Sequence, residues 1–233
     1  MPLITARKEV LEIYSDAAKE NWVIPCFCSE NLTTTEAILA ATKEYGDKIG
    51  VTDLPVTIAI INCYSRRSHT INYTHTKICE AGLRLFMEYL KVLTSPFSPN
   101  HNLKVMLHLN HIQHNDDIEL LDWDMSQFSS VIYDASTLSF DENIRLTAGF
   151  VKKHGHEIVI EGACDGIIDA GSGGNELTTP ENAERYIQET GCDLIVANLS
   201  TEHRANATEL HYYGDLARQF KATIGDKIVL HGA

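Results

Sequence analysis

Short apolar runs suited to buried strands alternate with helical stripes from one end of this chain to the other, and that order limits the fold more than any single residue does. The first stripe lies in residues 5–20, with Val10, Leu11, Tyr14 and Ala18 at helical spacing, and the apolar run WVIPCF starts at Trp22. TTTEAILAATKEYG offers threonine caps, an apolar stripe and a terminal Gly46, and PVTIAIIN reads as a buried strand. The alternation continues with a helix at Ile78–Leu93, the strand LKVMLHLN, a helix at Asp116–Met125 and the strand SSVIYD. A helix at Asp141–His154, the strand EIVIEG and a helix in TPENAERYIQETG with Pro180 in its first turn come next. The strand DLIVANLS, a helix at Tyr213–Ala222 and the strand KIVLHG complete the order.

Seven strands separated by helices suit either an open doubly wound sheet or a closed (β/α)8 barrel. A dinucleotide-binding sheet would carry G-x-G-x-x-G after its first strand, where this chain has CSENLTTTE. The expected fold is therefore an α/β (β/α)8 TIM barrel, with its eighth strand missing from the sequence. At 233 residues and 44% hydrophobic content, a single domain over 1–233 is expected. Seven strands leave two unpaired edges, so either the polypeptide is expected to continue beyond Ala233 or a partner chain is expected to supply the strand. The glycine-rich piece GIIDAGSGGNEL after the fifth strand reads as a loop.

Charge narrows the function classes. Nineteen Lys and Arg face 32 Asp and Glu, for a formal net charge of -13, and the longest basic cluster is Arg66-Arg67, so a nucleic-acid surface is not expected. There is no signal-peptide layout and no apolar run of about 18 residues, which points away from a membrane and toward a cytoplasmic protein. The six cysteines form no C-x-x-C pair and read as buried, reduced thiols.

The histidines can be sorted by position, because the βα loops of a barrel open onto the face at the C-terminal strand ends. His108 and His111 close the third strand, His203 follows the sixth and His231 ends the seventh. His154 and His156 precede the fifth strand and belong to the opposite end, while His69, His75, His101 and His211 read as surface residues. Imidazoles from different strands at one mouth, with an open fourth position, are what a catalytic zinc site requires.

At this point the chain resembles the class II, zinc-dependent ketose-bisphosphate aldolases. IPCFCSENLTTTEAILAAT is similar to the family's I-P-A-F-N followed by N-x-E-T, and LHLNHIQHNDDI to its H-x-D-H strand end. VIYDASTLSFDENI resembles V-M-x-D-G-S-x-L-x-x-E-E-N-I, and VIEGACDGI resembles V-E-A-E-L-G. TPENAERYIQETGCDLIVANLSTEHR and IVLHGA resemble the family's T-D-P-E-x-A, T-G-x-D-x-L-A-V-x-I-G-T-x-H-G and L-H-G-G-S-G. The resemblance implies Zn2+ held by His111, His203 and His231, with His108 beside them and Gly232 at the substrate. It also implies a place for a monovalent cation, a homodimer or homotetramer, and a phosphorylated sugar substrate. That substrate, of the fructose 1,6-bisphosphate or tagatose 1,6-bisphosphate type, would be cleaved to dihydroxyacetone phosphate and an aldehyde.

Two departures bear on activity. Asn110 stands where H-x-D-H has the acid/base aspartate, and an amide cannot take up a proton at useful pH. Ala163 replaces the second glutamate of V-E-A-E, leaving Glu161 at the first; Asp165, Glu176 and Glu202 lie on segments able to reach the mouth. A catalytically inactive, aldolase-derived sugar-phosphate binding or regulatory protein is the alternative reading.

Overall fold

The structure, a computed structural model, describes residues 3–63, 68–166, 177–201 and 212–232. Two compact units divide it, Met1–Val131 and Ile132–Ala233. In the first, α1 (Arg7–Lys19), β1 (Cys26–Cys28), α2 (Leu32–Ile49), β2 (Pro55–Ile60), α3 (Cys79–Leu93) and β3 (Lys104–Gln113) alternate. β4 (Ser130–Asp134) crosses the boundary. The second unit carries α4 (Phe140–His154), β5 (Val159–Ala163), α5 (Pro180–Thr190), β6 (Leu194–Val196), α6 (Gly214–Ile224) and β7 (Ile228–Val229). The α/β class and all seven strands of the sequence reading are present; no described element supplies an eighth strand. No described helix is long and apolar enough to cross a membrane.

Neighbouring strands within each unit are parallel and in register. In the first unit Cys28 lies opposite Ala59, and Ala59 opposite His108. In the second, Gly162 lies opposite Ile195, and Val196 opposite Val229. β2 and β3 are apolar and almost wholly buried, as strands covered on both faces must be.

Helix ends follow their capping chemistry. Asn31 caps α2 by accepting the Thr34 N–H at 2.9 Å, and Gly50, at φ 76, ends it. The helix therefore runs a turn past Gly46, the expected stop. Gly46 has a packing role instead, since a Cβ there would lie 2.4 Å from the Val51 carbonyl oxygen. Thr179 caps α5 through the Asn182 N–H at 3.1 Å, with Pro180 in the first turn as expected and Gly191, at φ 69, closing the helix.

The helix expected at Asp116–Met125 is replaced by two 3-10 turns, Ile118–Asp122 and Met125–Gln127. Side-chain acceptors compete here with the backbone ladder. Asp124 accepts from the Ser126 N–H at 3.0 Å. The wholly buried Asp117 receives the Gln113 N–H at 3.1 Å and the Cys63 N–H at 3.0 Å, so one carboxylate ties the chain after β3 to the chain after β2. Burial pushes its carboxyl above the ordinary range, and the backbone donors at Gln113 and Cys63 pull the other way.

In the second unit Asn143 donates to the carbonyls of Ala163 and Cys164 at 2.8 and 3.1 Å, satisfying the chain as it leaves β5. The Tyr186 hydroxyl lies 3.2 Å from Asn143 Oδ1 and 3.0 Å from Thr147 Oγ1, and its ring closes over Gly162.

Two stability outcomes follow from these contacts. Gly162→Ala places a Cβ 2.6 Å from the buried Tyr186 ring, and overpacking of this kind costs about 1–3 kcal/mol, which a denaturant midpoint will register. Asp117→Asn turns an amide NH2 toward one of two backbone N–H groups, leaving a buried donor unmet. It is expected to cost about 1–3 kcal/mol, and an unchanged melting temperature would show that Asp117 does not hold the two loops together.

Candidate active-site residues

The end of β3 is built by its register. Side chains paired across parallel strands share a face, so Cys28, Ala59 and His108 form one level, and Asn110 projects two residues further along that face. His108 is buried, its Nδ1 2.8 Å from Ser130 Oγ, so the ring has a fixed partner inside the strand layer.

Asn110 Nδ2 donates to Cys28 Sγ at 3.5 Å, and its Oδ1 is buried with no hydrogen-bond partner. One amide thus has a committed donor and a buried acceptor without a partner. Cys28 and Cys26 are exposed, against the expectation of buried thiols. That expectation holds for Cys164 and Cys192, whose thiols are pushed up by burial, to about 11 for Cys192.

His111 follows at φ 57, in the left-handed region, with its side chain buried. A non-glycine residue in that region is uncommon, and strain of this kind concentrates where a side chain must be aimed against the strand alternation. Asn110 keeps the face of His108, and at His111 the extended backbone gives way, so strict alternation no longer sets where its imidazole goes.

In the second unit His231 follows β7, with its Nε2 3.8 Å from Glu161 Oε2 on β5. Its carbonyl accepts from Thr201 Oγ1. Gly232 takes φ 69, a backbone state that favours glycine. Asp165 is engaged by Thr178, whose hydroxyl donates to it at 2.6 Å and whose oxygen receives the Asn198 N–H at 2.7 Å. His111 belongs to the first unit and His231 to the second, while His203, Glu176, Glu202, His211, Arg66-Arg67 and most of the glycine-rich piece lie outside the described residues.

Three features escaped the sequence reading. Glu161 was read only as a motif position, yet it stands beside His231. His69 was expected at the surface but is buried, with burial holding its imidazole pKa below the ordinary value. Among the described residues, Cys63, Asp117 and Glu119 bring one sulfur and two carboxylates within 4.8 Å of one another. The Asn62 amide nitrogen sits among them, 3.3 Å from Cys63 Sγ, 3.4 Å from Asp117 Oδ1 and 3.3 Å from Glu119 Oε1. These contacts make the group a hydrogen-bonded loop anchor. Only adjacency in space reveals it, because its members come from segments more than fifty residues apart.

Comparison with known proteins identifies the family. Residues 8–233 match the family described as fructose-bisphosphate aldolase class-II. The fructose-bisphosphate aldolase of Treponema pallidum is 27% identical over 95% of this chain and 67% of its own length. That of Giardia intestinalis is 25% identical over 100% of this chain and 66% of its own length, so the chain spans about two thirds of these relatives. Among solved structures, fructose-bisphosphate aldolase from Campylobacter jejuni superposes with a TM-score of 0.74 at 19% identity, covering 99% of this chain and 70% of that one. The YdjI aldolase from Escherichia coli K12 gives 0.65 at 19% identity, covering 94% and 70%. These structural likenesses speak for the fold, and the family match over nearly the whole sequence speaks for descent: the chain belongs to the class II fructose-bisphosphate aldolase family.

Proposed function

We propose that this protein is a zinc-dependent aldolase that cleaves a phosphorylated ketose, of the fructose 1,6-bisphosphate or tagatose 1,6-bisphosphate type, into dihydroxyacetone phosphate and an aldehyde. The observation that carries the proposal is the end of β3, where a buried histidine in a left-handed conformation follows an amide held against a thiol, in a chain of this family. The proposal includes a closed (β/α)8 barrel acting as one domain, a homodimer or homotetramer, and a cytoplasmic setting.

His111, His203 and His231 are proposed to hold Zn2+. The donor set fits: imidazoles are ordinary zinc ligands, and Glu161 beside His231 is a carboxylate of the kind that orients them. Bound zinc would act as a Lewis acid on the ketose carbonyl and stabilise the negative charge that develops on its oxygen. His108, held by Ser130, keeps the strand end rigid behind His111. Gly232, with its left-handed backbone, is proposed to present its N–H to the substrate.

A second reading, a sugar-phosphate binding or regulatory protein without turnover, is favoured by Asn110 and Ala163, since an amide binds a hydroxyl but does not accept its proton and an alanine offers no carboxylate in its place. Cleavage of both ketose bisphosphates, followed through dihydroxyacetone phosphate with zinc present, separates the two.

Purified protein is expected to carry about one zinc per chain, and His111→Ala, His203→Ala and His231→Ala should each lower metal content sharply. Unchanged zinc in all three single variants would remove the ligand assignment. Asn110→Asp is expected to raise kcat steeply, by up to the roughly 10²- to 10⁴-fold that a positioned acid/base group contributes. KM should move little, because amide and carboxylate have similar volume and both accept a hydrogen bond. If parent and variant both load zinc and neither cleaves, the binding reading replaces the aldolase reading.

A further inference from the structure

We propose that Cys28 is the group that exchanges the proton of the cleaved hydroxyl, standing opposite Asn110 in the role that the family pattern gives to the residue at position 110. The inference rests on the aldolase reading and deepens it. Its basis is the contact between the last residue of β1 and the amide on β3, together with the exposure of the thiol at that contact.

Register makes the contact a built feature. Cys28, Ala59 and His108 share one level, and Asn110 is the next residue outward on the same face, so the thiol and the amide meet at the C-terminal end of the strands. The thiol is exposed to whatever enters there. The amide nitrogen fixes the sulfur at 3.5 Å. The amide oxygen is buried and has no hydrogen-bond partner, so the exposed thiol is the member of the pair that an entering ligand meets. A ketose carries hydroxyls on adjacent carbons. One of them can meet Cys28 Sγ.

The chemistry of the pair supports the same assignment. A thiol, with an ordinary pKa of about 8.5, exchanges protons in the range where enzymes work, and an amide does not. The motif that IPCFC resembles ends in asparagine, and H-x-D-H carries aspartate at the position of Asn110. The contact in this chain therefore keeps one amide and one titratable group, with their strands exchanged.

In the step assigned to Cys28, the thiolate takes the proton from the hydroxyl on the carbon that becomes the aldehyde. The O–H electron pair becomes the second bond of the new C=O, and the breaking C–C pair passes to the ketose carbonyl to give the enediolate. A solvent proton on carbon converts the enediolate to dihydroxyacetone phosphate, and the thiol returns its proton to solvent. One ketose phosphate yields one ketone phosphate and one aldehyde, with no other reactant.

The test uses the full chain loaded with zinc and compares the parent, Cys28→Ala, Cys28→Ser, Asn110→Asp and the double variant Cys28→Ala/Asn110→Asp. Two rates are read, cleavage of fructose and tagatose 1,6-bisphosphates and exchange of the carbon-bound hydrogen of dihydroxyacetone phosphate in D2O, which does not involve the cleaved hydroxyl. Both Cys28 variants are expected to lower cleavage kcat by about 10²-fold or more while exchange and zinc content persist. The loss on Cys28→Ala should shrink in the Asn110→Asp background, where a carboxylate shares the task. Cys28→Ser, close to isosteric, keeps the test valid should Cys28→Ala fail to fold. Full cleavage by Cys28→Ser, an equal loss of cleavage and exchange, or equal losses in both backgrounds would overturn the assignment. An inactive parent that Asn110→Asp makes active would overturn Cys28 while leaving the aldolase reading intact. Absence of both cleavage and exchange in the parent and in Asn110→Asp would remove the aldolase reading itself, and this inference with it.

Discussion

Parallel pairing in register decides which side chains at this site are able to meet. Because β1, β2 and β3 run the same way without slippage, a residue on β1 and another on β3, about eighty positions apart in sequence, are placed by backbone hydrogen bonds before any side-chain contact forms. A slip of one residue would turn every side chain of a strand to its other face and separate Cys28 from Asn110. The burial of β2 and β3 makes such a slip costly, since it would exchange the side chains facing the two apolar layers. The chemistry at the strand ends thus depends on packing deeper in the strands.

The end of β3 shows how that regularity is broken where function asks for it. Alternation would turn consecutive residues to opposite faces, and His111 departs from it through a left-handed backbone. Such a conformation persists when its surroundings hold it. Here Asp117 holds the chain just beyond, receiving the Gln113 and Cys63 N–H groups, and His108 with Ser130 holds the chain just before. The aspartate that opens the 3-10 turn after β3 is the same group that ties the strand end to the chain after β2.

Periodicity was enough to read the alternation of elements, because buried parallel strands are continuous apolar runs and the helices between them carry stripes. Boundaries were less legible where a residue served two purposes. Gly46 looks like a helix stop, yet its missing Cβ admits the Val51 carbonyl, and the stop falls at Gly50. The stretch Asp116–Met125 has helical apolar spacing, but its aspartates are engaged with backbone N–H groups at its two edges, Gln113 before it and Ser126 after it, and only short 3-10 turns form between. Of the site, His108, Asn110, His111, His231 and Gly232 were legible as strand-end and motif positions. Cys28, Glu161 and Asp117 were not, because their meaning lies in neighbours that sequence spacing does not bring together.

Asn110 shows why a departure from a family pattern has to be judged with its contacts. Taken alone, an amide in place of a carboxylate removes a proton acceptor and points to lost chemistry. Within the structure, the same amide donates to an exposed thiol, a group that can exchange a proton, so the loss of the carboxylate is not by itself the loss of a titratable group at this strand end. Positioning and proton exchange are separable tasks. A carboxylate performs both with one side chain, whereas an amide paired with a thiol divides them between two strands. The division places greater demand on the register, because the thiol keeps its place only while the amide, on another strand, stays within reach of it.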